Sequence, residues 1–274
     1  MPSVFVVTGT PRSATGYASI LFATANIPCT HEQVFRPRVT LCDVLKWANN
    51  WPDERGESSW LAWAFLGLLP KPVRVLHTVR NPWSVIDSLA HRNEIVPREA
   101  TVCMGKQLLR DAMLSYVPRV NEYDSAIDRA AVLVVDWNRL IEKAAHKRGL
   151  PYRRFRVEDM DVDLLTSLID WLGYYREQAE IENAISLTPR NVNQGRQIDH
   201  SVKVDNPVVQ EAIQKHFPCD GSKIGKVYSA AERLTPKEIE NRMSPELREE
   251  VQALADSYGY ERTHFKCAKQ GATR

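Results

Sequence analysis

Val4-Phe5-Val6-Val7-Thr8-Gly9-Thr10-Pro11-Arg12-Ser13-Ala14-Thr15-Gly16-Tyr17 is the stretch that decides the fold. Val4 to Val7 is a β-branched and aromatic run with no polar alternation, so it reads as a strand buried on both faces. From Thr15 to Asn26 small and apolar residues dominate, with Tyr17, Ile20, Leu21 and Ala25 at helical spacing. The turn from Gly9 to Gly16 therefore joins a buried strand to a helix start. Such a turn aims unpaired N–H groups and the positive end of the helix dipole at whatever lies above it, which suits an anion. Arg12 adds a fixed charge, and Ser13 and Thr15 add hydroxyl donors. The same residues also suit a plain strand-to-helix turn whose polar side chains only cap the helix, and local features leave these two readings level.

Working outward, the pattern repeats. Val73 to Val79 is a second strand, and Pro82 suits the first position of a helix whose apolar stripe is Trp83, Val85, Ile86 and Leu89. Tyr152 to Val157 reads as a third strand, followed by a helix from about Asp161 to Leu172 that stops at Gly173. Three strand–helix units imply an α/β fold with a central, mainly parallel β-sheet flanked by helices. The Val-Leu-Val-Val run at 132–135 favours a strand by propensity, but Trp137, Leu140, Ile141 and Ala144 continue as a helix face, and a long helix is the preferred reading. Towards the end, Thr235-Pro236-Lys237-Glu238 forms a capping box and Ser244-Pro245 opens a further helix carrying Leu247, Val251, Leu254, Ala255 and Tyr258. The expectation is one domain over 1–274, with C-terminal accessory helices from about residue 230. Asn191 to Tyr228 is polar and rich in turn residues, as a flap over a site would be.

Bulk properties narrow the partners. Of 274 residues, 36 are Lys or Arg and 34 are Asp or Glu, so no overall field draws the chain to nucleic acid or to an anionic membrane. Any anion site has to be local. Five scattered cysteines without a C-x-x-C pair argue against a disulfide framework or a zinc site. The longest apolar stretch, Trp60 to Pro70, is too short to span a bilayer, and the opening residues lack the features of a signal peptide. No integral membrane segment and a cytoplasmic location are expected, with homo-oligomer formation left open. The basic run from Arg148 to Arg156 reads as a solvated face, with attraction of an anionic acceptor as the alternative. Trp47, Trp51, Trp60, Trp63 and Trp83 read first as packing residues.

Two familiar phosphate loops fail on the 9–16 turn. A Walker A loop needs Lys after its second Gly, and here Ala14, Thr15 and Gly16 fall in that register. A dinucleotide fingerprint needs G-x-G-x-x-G, which Thr10-Pro11 breaks, although Glu32 lies at a suitable distance downstream.

TGTPRSATGY (8–17) instead resembles the 5′-phosphosulfate loop of sulfotransferases that use 3′-phosphoadenosine 5′-phosphosulfate (PAPS), whose pattern is close to P-[KR]-S-G-[ST]-[ST] after a buried strand. The resemblance implies a P-loop-type three-layer fold, with Arg12 at the transferring sulfonate and Ser13, Ala14, Thr15 and Gly16, flanked by Gly9 and Pro11, around the 5′-phosphate. Two positions depart from the pattern: Ala14 stands where Gly is usual, and Gly16 where a hydroxyl residue often stands. VRVLHTVRNPWSVIDSL (73–89) resembles the family's 3′-phosphate element, which puts Arg80 at a strand end and Ser88 on the next helix against the 3′-phosphate. Arg pairs bidentately with phosphate and Ser adds a hydroxyl donor, so the chemistry agrees. His31-Glu32 resembles the catalytic-base position of some branches, with Glu32 as the general base and His31 as the alternative. Ser58 to Ala62, Arg156 to Asp159 and Tyr258-Gly259-Tyr260 also look like bacterial members. Asn193-Gln194-Gly195-Arg196 stands where an Arg-containing loop completes nucleotide binding, so Arg196 is a further candidate, although the R-K-G string is absent. The implied donor is PAPS, leaving adenosine 3′,5′-bisphosphate, without a metal. The implied acceptor is a hydroxyl on a glycan, lipid or small molecule. Two other readings stay open: a nucleotide kinase or NTPase with a degenerate loop, and a sulfotransferase-like nucleotide-binding protein without chemistry.

Overall fold

The computed structural model describes residues 3–35, 56–69, 73–91, 111, 113–188 and 234–260. Its centre is a five-stranded sheet, β1 (Phe5–Thr8), β2 (Cys29–His31), β3 (Gly56–Ser58), β4 (Arg74–Val79) and β5 (Tyr152–Arg156). The order is β2-β3-β1-β4-β5 and every pairing is parallel. The sequence shows β1, β4 and β5; β2 and β3 are three-residue strands that periodicity does not reveal.

Helix α1 (Thr15–Thr24) follows β1, α2 (Pro82–His91) follows β4, and α3 (Ala126–Arg148) leads into β5. After β5 come α4 (Val162–Leu172) and α5 (Gln178–Leu187), then the late pair α6 (Pro236–Arg242) and α7 (Pro245–Ser257). Local chemistry accounts for the ends. Asn81 Oδ1 accepts from Trp83 N ahead of Pro82 in α2, Ser125 caps α3, and Asp161 caps α4. Gly149 and Gly173 adopt left-handed backbone just past α3 and α4. The 132–135 run lies inside α3, where Ala130 to Val135 are all fully buried. A helix covered on every side has no use for a polar face, which is why β-branched residues tolerate it there.

Two apolar clusters sandwich the sheet. On one face α2, α3, α6 and α7 share a core with the turn at 62–68, and on the other α1, α4 and α5 pack over Phe5, Val7, Leu76 and Phe155. Trp137 is central to the first cluster. It is fully buried, its ring lies 5.4 Å from Trp60 and 5.3 Å from Trp63, and its Nε1 donates to the Trp60 carbonyl at 3.2 Å. Trp60, Trp63 and Trp83 are packing residues, while Trp47 and Trp51 lie outside the described residues.

The outer edge of β5 is covered by the segment after α7. Arg154 stacks 4.3 Å over Tyr258 and Arg156 stacks 4.2 Å over Tyr260. Arg154 also pairs with Glu142 at 3.1 Å, and Arg156 donates to the Gly259 carbonyl at 2.7 Å. The basic run thus spends its charge on neighbouring protein groups. Glu158 accepts from Tyr260 OH and from Asn81 N, tying this edge to the β4–α2 junction. Behind the site, His77 is fully buried on β4. Asn138 Nδ2 donates to the Val134 carbonyl, so Asn138 Oδ1 accepts from His77 Nε2–H and His77 Nδ1 accepts from Tyr152 OH. Burial pushes the His77 pKa down to about 3, which keeps the ring neutral. Among the described residues no helix is long and apolar enough to cross a membrane.

Trp137→Ala is expected to destabilise the chain by about 3–5 kcal/mol, because it empties the ring site that Trp60 and Trp63 pack against. Urea unfolding checks this, and a loss below about 1 kcal/mol would mean that the cluster is not the core of this face.

Candidate active site

The chain turns left from β1, through α1 to β2, and right from β4, through α2 and α3 to β5. Neighbouring strands whose connections run opposite ways leave a crevice above their carboxyl ends, where ligands bind in open α/β sheets. The β1–α1 turn and the β4–α2 junction both open there.

The β1–α1 turn is built from backbone constraint. A Cβ on Gly9 would lie 2.2 Å from Ser13 Oγ and 2.5 Å from the Thr78 carbonyl oxygen, so only glycine fits where the chain passes Thr78 of β4. Ser13 N donates to the Thr10 carbonyl at 2.9 Å, and Thr78 Oγ1 donates to the Ser13 carbonyl at 2.9 Å. Arg12 and Ala14 have φ of 76° and 77°, with Ser13 between them on the ordinary side. Such alternation turns successive N–H groups towards one concavity, the nest that cradles anions. It also explains why glycine is usual where Ala14 stands. Left-handed backbone costs alanine about 1–2 kcal/mol. Burial of its methyl in the α1 cluster returns about 0.8 kcal/mol of that. Among the described residues the buried Ser13 hydroxyl has no partner. Gly16 lies in the first turn of α1, where its carbonyl accepts from Ser19 Oγ.

The two sequence motifs meet. Arg12 Nε donates to Ser88 Oγ at 2.9 Å, across 76 residues of chain. Arg80 is half-buried between β4 and α2, one strand over from the turn and just ahead of the Asn81 cap. On the other side of the turn, His31 Nε2 lies 3.5 Å from Thr15 Oγ1 and 3.7 Å from Glu32 Oε1. The structure therefore brings Gly9 to Gly16, His31, Glu32, Arg80 and Ser88 to the carboxyl end of the sheet. Arg196 and the whole 191–228 stretch expected as a flap lie outside the described residues.

Glu32 follows β2 with φ of 49°, and its N–H donates to the Ser58 carbonyl at 3.1 Å. Two thirds of its side chain is covered and 34% is open to water. Burial pushes its pKa from the ordinary 4.5 up to about 7; the nearby Glu57 charge adds to the rise, and a hydrogen bond from Trp60 opposes it. Reading the sequence misses Glu57, a fully buried acid in the middle of β3. A charge inside a strand buried on both faces becomes a signal only once β3 is placed between β2 and β1.

Mouse sulfotransferase SULT7A1, solved in complex with PAP, superposes with a TM-score of 0.52 over 94% of this chain and 86% of its own, at 13% sequence identity. The chain has the sulfotransferase fold. The sulfotransferase domain from the curacin biosynthetic pathway matches over 95% of this chain and 99% of its own, at 15% identity and a TM-score of 0.44. No family model and no curated protein matches the sequence. On a sulfotransferase fold, the 9–16 turn and the β4–α2 junction occupy the crevice that the strand order itself creates.

The raised Glu32 pKa has a consequence for stability. Between about pH 4.5 and 7 the folded chain holds a proton that the unfolded chain has released, so this group's contribution to stability falls as pH rises through that window. Glu32→Gln is expected to be more stable than the parent by about 1 kcal/mol near pH 8, well under the full linkage value because part of the side chain faces water. Near pH 4 the difference should vanish. Urea midpoints at the two pH values check this, and a variant no more stable than the parent at the higher pH would contradict it.

Proposed function

We infer that the chain is a sulfotransferase that moves a sulfonate group from PAPS to a hydroxyl of a glycan, lipid or small-molecule acceptor. The observation that carries this reading is the hydrogen bond from Arg12 to Ser88, which puts the loop that resembles a 5′-phosphosulfate site against the helix that resembles a 3′-phosphate site. A nucleotide phosphorylated at both ends is the ligand that needs both. SULT7A1, the sulfotransferase whose fold it shares, was solved with PAP, which supports the same donor class.

In this mechanism the N–H groups of Ser13 to Thr15 hold the 5′-phosphate at the N-terminus of α1, with Gly9, Pro11 and Gly16 shaping the turn. Arg80 and Ser88 hold the 3′-phosphate. Arg12 lies where charge develops on the sulfonate and on the leaving phosphate oxygen. The bond between sulfur and that oxygen breaks as the acceptor oxygen bonds to sulfur in line with it, leaving adenosine 3′,5′-bisphosphate. The acceptor's hydroxyl proton passes to Glu32, whose proton affinity is near the optimum for a base at neutral pH. His31, between Thr15 and Glu32, is the other group within reach of that proton. Arg196 completes the nucleotide site in this reading.

Titration calorimetry tests the donor site. Adenosine 3′,5′-bisphosphate is expected to bind the chain, with ATP and NAD bound far more weakly. Arg80→Ala is expected to weaken the bisphosphate by about 2–3 kcal/mol, the scale of a charge-assisted contact left without its partner. Unchanged affinity in the variant would remove Arg80 from the site. Tighter binding of ATP with magnesium would move the reading to a kinase or NTPase.

A further inference from the structure

Glu57 sits where a charge is hardest to accommodate. It occupies the middle of β3, itself an inner strand, paired with Thr30 of β2 on one side and Val6 of β1 on the other, and it is completely shielded from water. An isolated carboxylate there is strongly unfavourable unless it is bonded on most of its lone pairs. Three of the bonds that satisfy it come from the segment around Glu32. Thr30 Oγ1 donates to Glu57 Oε2, and the backbone N–H groups of Gln33 and Val34 donate to Oε1 at 2.8 and 3.0 Å. Glu32 itself is held in left-handed backbone by its own N–H bond to the Ser58 carbonyl, the residue after Glu57. A non-glycine residue keeps such a conformation only where its surroundings over-determine it.

We propose that Glu57 is a positioning residue for Glu32, its buried carboxylate gripping the turn at 32–34 from behind so that the Glu32 side chain is presented to the phosphate loop. This rests on the reading of Glu32 as the general base. The same carboxylate acts on Glu32 through space: the two acids repel, and the Glu57 charge adds to what burial does in raising the Glu32 pKa to about 7. Among the described residues, the other groups facing Glu32 are His31 of β2, 3.7 Å away, and Trp60, whose hydrogen bond works the opposite way. Glu57 therefore fixes both where the base stands and how readily it takes a proton. A neutral residue of the same shape separates the two contributions. In Glu57→Gln the side-chain oxygen still accepts from Gln33 and Val34, while the charge is gone.

Carbon-13 NMR titration of glutamate side-chain carboxyls reads the effect without needing the acceptor. In the parent, one carboxyl is expected to titrate near neutrality, and its resonance should vanish in Glu32→Gln, which assigns it. In Glu57→Gln the midpoint of that same resonance is expected to fall by about one pH unit. A folded Glu57→Gln protein whose Glu32 midpoint stays put would overturn the proposal. The unsubstituted chain supplies a second reading should the variant not fold. The Gln33 and Val34 amides are expected to exchange with solvent deuterium at least about a hundredfold more slowly than open-loop amides. Exchange at the open-loop rate would mean that the carboxylate does not hold them. The underlying assignment fails separately: near-parental turnover of Glu32→Gln would displace Glu32 as the base and leave the Glu57 coupling measurable.

Discussion

The close approach of Gly9 to Thr78 of β4 is the constraint on which the rest of the site depends. With Thr78 2.5 Å from the place where a side chain would begin, the chain leaving β1 has one narrow route, and that route turns Arg12, Ser13 and Ala14 through alternating backbone hands. From there the positions of the other groups follow. Arg12 reaches α2 and meets Ser88, while Thr15, at the start of α1, comes up beside His31. Backbone strain at Arg12, Ala14 and Glu32 is concentrated where the sheet opens, and the two apolar clusters on either side of the sheet are large enough to sustain it.

The electrostatics divide between the two sides of the turn. Towards β4 and α2 stand Arg12, Arg80 and Ser88, cationic or hydroxylic groups suited to phosphate oxygens. Towards β2 and β3 they are acidic, with one carboxyl partly open and one sealed within the sheet. In the proposed reaction, a donor nucleotide held on the first side leaves its transferring group facing the second, where Glu32 stands with a raised pKa.

Much of this was legible in the residues, and the exceptions have physical causes. Phe5 to Thr8, the 9–16 turn, Arg74 to Val79 and the Pro82 helix announce themselves because buried parallel strands are β-branched runs and helix starts carry Pro or a capping side chain. Cys29–His31 and Gly56–Ser58 do not, because Thr30, Glu57 and Ser58 are polar and become acceptable inside a sheet only through bonds to distant partners. Helix α5 is hard to read from the sequence for a related reason. It begins with a capping box between Glu177 and Glu180 and buries little beyond Ile181 and Ala184, so its apolar stripe is too thin to register. Spacing could indicate that Arg12 and Ser88 share a purpose only through likeness to known motifs; their contact is tertiary. Glu57 gave no signal that could be separated from an ordinary exposed acid until the neighbours of its strand were known.

The account stands or falls on where a doubly phosphorylated adenosine sits. A crystal structure of the chain with adenosine 3′,5′-bisphosphate is expected to place the 5′-phosphate on the N–H groups of Ser13 to Thr15 and the 3′-phosphate within hydrogen-bond distance of Arg80 and Ser88. A nucleotide bound elsewhere on the chain, or one whose 3′-phosphate points away from Arg80 and Ser88, would contradict it.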